Sequence, residues 1–123
     1  MSVTITGDEP GRNQIRRIKF NWTSDSGGDA LSSKTRYAYN GRVIGLITNP
    51  DGIAIPSDNY KVELLDDDGY DCLAGAGAAR DTANTEYVVD KNLFGCIVNS
   101  NLRFQVSAAG AEKSGIAYVD IQL

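Results

Sequence analysis

Between residues 17 and 22 every second side chain is large and apolar. Ile18, Phe20 and Trp22 alternate with Arg17, Lys19 and Asn21, and a period of two gathers them on one face of a pleated strand. The pattern recurs at Tyr60, Val62 and Leu64 against Lys61 and Glu63, and at Leu102, Phe104 and Val106 against Arg103, Gln105 and Ser107. A final run, Ile116 to Leu123, carries Ala117, Val119, Ile121 and Leu123 on one side. Ile116 and Tyr118 on its other side predict a strand covered on both faces. No stretch holds a helical period long enough for a core helix; a turn of helix is expected only around Ala76 to Arg80.

Turn chemistry falls between these runs. Asn40-Gly41 separates Tyr37-Ala38-Tyr39 from Val43-Ile44-Gly45-Leu46-Ile47 and predicts a two-residue hairpin, since Asn and Gly supply the positive φ of a type I′ turn. Asn49-Pro50-Asp51-Gly52 predicts a second turn, Asp66-Asp67-Asp68-Gly69 a third after Val62 to Leu65, and Gly110 to Gly115 a hairpin between the last two strands. Thr23 to Ser33 reads as a mobile loop, Ile53 to Asn59 as a loop past Pro56, and Leu73 to Thr85 as a loop too poor in bulk for a strand interior. There is no internal repeat of 20–50 residues.

Seven or eight short strands at this spacing predict an all-β fold, a single-domain antiparallel sandwich of jelly-roll or immunoglobulin-like type. At 123 residues the chain fits one domain. Residues 15–123 are assigned to the sandwich and residues 1–14, polar at the start, to an extended N-terminal arm that orders on a neighbouring subunit.

The residues offer little for catalysis. The chain has no histidine, so its serines, threonines and two cysteines lack the usual base. Its carboxylates sit mostly in turns, where exposure keeps their pKa values ordinary. Asp66-Asp67-Asp68-Gly69-Tyr70-Asp71 has the look of a calcium loop, but aligning Gly69 with the invariant glycine of an EF-hand puts Leu64 at its first position and Gly75 at its last. Gly75-Ala76-Gly77-Ala78-Ala79-Arg80 resembles the start of a dinucleotide fingerprint, yet Arg80 replaces the last glycine and no βαβ context surrounds it. Tight backbone packing or a contact between subunits fits that stretch better. Two cysteines without histidine make a poor zinc set, and Cys72 and Cys96 are expected as reduced, partly buried thiols. No catalytic, cofactor-binding or metal-binding residue is assigned.

A net charge of −4 with scattered Lys and Arg argues against a nucleic-acid partner. Arg12, Arg16, Arg17 and Lys19 read as a solvated strand face. No apolar run reaches the ~18 residues of a membrane span, and the start lacks a charged and apolar leader pattern, so cytoplasmic synthesis without a membrane partner is expected. Trp22, Tyr37, Tyr39, Tyr60 and Tyr70 are candidates for a sugar platform. Trp22 continues an apolar stripe and reads as core or interface packing; Tyr37 and Tyr39 are expected to share one face of a hairpin strand.

The middle of the chain carries a longer pattern. Gly41-Arg42-Val43-Ile44, Asn49-Pro50-Asp51-Gly52, and Pro56-Ser57-Asp58-Asn59-Tyr60-Lys61-Val62-Glu63-Leu64-Leu65-Asp66-Asp67-Asp68-Gly69-Tyr70-Asp71 are followed by Gly75-Ala76-Gly77-Ala78-Ala79-Arg80-Asp81-Thr82 and by Ala108-Ala109-Gly110-Ala111-Glu112-Lys113-Ser114-Gly115. Over residues 41–123 this resembles small structural proteins of tailed bacteriophages. The resemblance implies a non-enzymatic virion component, made in the host cytoplasm and placed on the capsid surface. Its implied role is a decoration or cement protein bridging subunits of the major capsid protein, as a homo-oligomer such as a trimer. A tail, neck or receptor-binding fibre accessory, or a carbohydrate-binding module, is the alternative. The resemblance brings no catalytic residues with it.

Overall fold

The computed structural model describes residues 1–8, 15–89 and 94–123. These form nine strands and no helix: β1 (Ser2–Thr6), β2 (Ile15–Thr23), β3 (Ala30–Leu31), β4 (Tyr39–Pro50), β5 (Lys61–Leu65), β6 (Glu86–Val89), β7 (Cys96–Ser100), β8 (Arg103–Ser107) and β9 (Ser114–Gln122). The all-β antiparallel architecture is as expected, with nine strands rather than seven or eight. A six-stranded sheet runs β1-β2-β9-β4-β6, with β7 also on β4, and faces a three-stranded sheet, β3-β8-β5.

The alternating runs do what their period requires. Ile18, Phe20 and Trp22 of β2, Val62 and Leu64 of β5, Phe104 and Val106 of β8, and Ala117, Val119 and Ile121 of β9 are all buried. Each large side chain so buried contributes roughly 1.5–3 kcal/mol. The two sheets meet through aromatic rings: Phe20 stacks on Phe104 at 4.6 Å, and Trp22 tilts against Tyr60 at 5.7 Å.

The Asn40-Gly41 hairpin does not form. Both residues lie inside β4, which runs straight through them. Its first half pairs with β7, through Tyr39 to Ser100 and Arg42 to Cys96, and its flank from Arg42 to Pro50 pairs with β9. Asn40 Oδ1 accepts the Asn99 N–H at 2.8 Å, and a Cβ on Gly41 would run into the Gln122 carbonyl oxygen. The dipeptide serves a bulge between Tyr39 and Gly41 and a close backbone approach, both paid for by pairing on two edges that outweighs local turn preference.

Gly110 to Gly115 is likewise no hairpin, because it carries the chain from β8 in the small sheet to β9 in the large one. The Thr23–Ser33 stretch contains β3 and is tied down: Ser24 Oγ donates to the Gly110 carbonyl at 2.6 Å, and Asp25 Oδ1 accepts from Gly27 and Asp29. Within the expected N-terminal arm, Ser2–Thr6 is β1, an edge strand of the chain's own sheet with Val3 opposite Trp22. Residues 9–14 of that arm, with Arg12, lie outside the described residues.

Candidate interaction surfaces

The Asp-rich turn spends its carboxylates on the backbone. Asp66 Oδ1 accepts from the N–H groups of Asp68 and Tyr70, both at 2.9 Å. Asp71 Oδ1 accepts from Leu64 and Leu73, and its Oδ2 from Gly75. Asp67 meets Lys34 Nζ at 3.0 Å and the Asn101 N–H at 3.3 Å, and the hydrogen bond to Lys34 holds its carboxyl below the ordinary range. These are turn caps and a loop tether. Among the described residues no three His, Cys, Asp or Glu side chains gather where they would hold a metal ion.

The Gly-Ala stretch is a strap, and the helical turn expected at Ala76–Arg80 is absent. Cys72 N–H donates to Leu64 O, Val62 N–H to Gly77 O, and Arg80 N–H to Tyr60 O, at 2.7, 2.9 and 2.8 Å. The strap thereby closes the outer edge of β5, which would otherwise template a foreign strand. Gly77 is required by contact, since a Cβ there would enter the Val62 carbonyl.

Both cysteines are free thiols, Cys72 buried and Cys96 exposed. Burial first, then Asp66 and Asp71, pushes the Cys72 thiol up to about 12. The five candidate aromatics are separated. Trp22 and Tyr60 are core, Tyr39 is buried, and Tyr37 and Tyr70 are exposed. Tyr37 lies ahead of β4 with the Arg36 guanidinium 5.7 Å from its ring, so Tyr37 and Tyr39 share no strand face. Arg17 of the basic run pairs bidentately with Asp120 at 2.7 and 2.9 Å and lies over the Tyr118 ring. No described helix is long and apolar enough to cross a membrane.

Two surface features escape periodicity arguments. At the tip after β4, Ile53 is 96% exposed, yet the loop beneath it is fixed. Asp51 Oδ2 accepts from Ile53 and Ala54 at 3.0 and 2.7 Å, Asp51 N–H donates to Ser114 O, and Ser114 N–H to Ala54 O. Those hydrogen bonds hold the Asp51 carboxyl below its ordinary value. A depression of about 370 Å³ beside the tip is walled by Asn21, Asn49, Asp51 and Ser114. The second feature is the outer face of the six-stranded sheet, where Ile47, Ile116 and Tyr118 are half-buried and Tyr87 is 73% exposed. Ile53 was visible only as an isoleucine among turn formers, and Tyr87 lay in a segment with no alternation.

No family model and no curated protein matches the chain in sequence. Among solved structures it is similar to a chain of the cyanophage Pam1 capsid asymmetric unit, at 16% identity and a TM-score of 0.46, over 94% of this chain and 91% of that one. The crystal structure of FLHE is similar at 13% identity and 0.42, over 90% and 100%. The CBM22-1 xylan-binding domain of Paenibacillus barcinonensis Xyn10C is similar at 14% identity and 0.35, over 98% and 80%. Likenesses this distant carry no function across to this chain.

Proposed function

We propose that this chain is a non-enzymatic structural component of a bacteriophage virion, a decoration protein that binds the major capsid protein at the capsid surface. The observation that carries the reading is Ile53. An isoleucine held 96% in solvent on a tip braced by Asp51 and Ser114 forfeits its burial energy in the isolated chain. It recovers that energy only by entering a partner, and its fixed loop lowers the ordering cost of doing so. The segments that resemble phage structural proteins support the same reading, because they build turns, the strap and this tip rather than a chemical site. Repeated capsid positions call for a shaped surface of this kind.

Add-back to particles lacking the chain tests it. Ile53→Asp should fold as the parent does and fail to bind those particles. Binding equal to the parent's would overturn the role assigned to the tip.

A further inference from the structure

We infer that the loop end of the sandwich around Ile53 docks into an apolar pocket edged by lysine and arginine side chains on its partner. The inference rests on the proposed virion role and names the chemistry of the surface that receives the tip. Residues 24–29, 51–59 and 108–113 form the three loops of this end. They brace one another and the start of β9 through the backbone. Asp51 N–H donates to Ser114 O, Ser114 N–H to Ala54 O, Ser57 N–H to Ala109 O, Ala109 N–H to Gly28 O and Glu112 N–H to Asp25 O, between 2.8 and 3.1 Å. Ile53 stands 96% exposed on that base, and Ile55, two residues on, is 46% exposed. Two isoleucines on one fixed loop make an apolar knob, and an apolar pocket of matching shape is what recovers their burial energy.

Charge decides what edges that pocket. The three loops carry Asp25, Asp29, Asp51, Asp58 and Glu112 against Lys113 alone. Five carboxylates against one lysine give −4, which equals the net charge of the whole chain, so the remaining residues sum to zero. Backbone N–H groups hold the Asp25 and Asp51 carboxyls below their ordinary value, and both are ionised at neutral pH. Among the described residues no three His, Cys, Asp or Glu side chains gather as a metal ion requires. The charge is spread over three loops instead, and spread charge is matched by several Lys or Arg side chains rather than by one ion. Nucleic acid and anionic lipid headgroups carry the tip's own sign and are repelled by it. Asp29 and Glu112 are exposed, and no hydrogen bond or ion pair ties either carboxylate to a described residue. Both are available to a partner.

The association rate of the purified full chain with particles lacking it, measured against NaCl concentration, tests the inference. The parent should slow by about tenfold or more between ~0.1 M and ~1 M NaCl, as the Debye length falls from about 10 to about 3 Å. Glu112→Lys should associate about tenfold more slowly than the parent at ~0.1 M NaCl and converge with it at ~1 M. A folding defect would show no such convergence. Asp68→Lys makes the same charge reversal in the turn after β5, at the other end of that strand from the tip, and should stay within about twofold of the parent. A parent indifferent to salt, a Glu112→Lys chain that associates as the parent does, or equal slowing by both reversals would overturn the basic-edged pocket and leave the virion role standing. A parent that binds no particle would overturn both.

Discussion

The Phe104 ring of β8 lies almost flat on the Phe20 ring of β2, with 4.6 Å between centroids and 8° between planes. Both residues are fully buried, and they come from different sheets. This pair is therefore a tie between the two layers, and removing one ring leaves a cavity that neither rigid sheet closes. Phe104→Ala should cost about 3–5 kcal/mol in urea unfolding, and Phe104→Leu clearly less. A loss under ~1 kcal/mol for the alanine would mean that the layers are held elsewhere.

The strap over β5 makes a sharper prediction about a small change. Gly77→Ala must push its methyl into the Val62 carbonyl, so the strap or β5 has to shift, at about 1–3 kcal/mol. Gly52→Ala, with no atom within 4 Å of the new carbon, should stay within about 0.5 kcal/mol of the parent. Equal effects of the two substitutions in thermal or urea unfolding would contradict the strap contact.

The thiols should separate by reactivity. Cys96 is exposed, while Cys72 is buried with its thiol pushed up to about 12, and only the thiolate reacts. A thiol-exchange reagent at mildly alkaline pH should titrate one cysteine per native chain and two after unfolding. Two fast thiols in the native state would place Cys72 wrongly.

Stability should fall on the alkaline side. Burial raises the Cys72 thiol from 9.0 to about 12 and lifts the Tyr60 hydroxyl above 10.0, so both stay neutral in the fold. The unfolded chain releases these protons first, and it binds fewer protons than the folded one as pH rises. Their contribution is thus complete below pH 9 and is lost between about pH 9 and 12. The urea midpoint should decline across that window, and Cys72→Ala should flatten the decline. A midpoint independent of pH above 9 would contradict the burial of both groups.

Much of this architecture was legible because burial has a period. Ile18, Phe20 and Trp22, or Leu102, Phe104 and Val106, mark an inner face without any knowledge of partners. The Asp66 and Asp51 turns were also readable, since an Asp side chain bonds its own following N–H groups. What failed were judgements that long-range pairing decides. Asn40-Gly41 has the composition of a hairpin, but β7 pairs along it on one edge and β9 takes up the other edge of the same strand from Arg42 onward. Gly110 to Gly115 looks like any short connection, and only the layer assignment of β8 and β9 makes it a crossover. The four residues of β6 show no alternation of large apolar side chains, so nothing local pointed to Tyr87. The exposure of Ile53 was not readable either, because the loop assigned to residues 53–59 has no period that would orient an apolar side chain.

The central claim is that this chain works as part of a virion through its surfaces. Quantitative mass spectrometry of purified particles tests that most directly. The account predicts the chain in a fixed ratio to the major capsid protein, retained through density-gradient purification. Its absence from intact particles would contradict the claim.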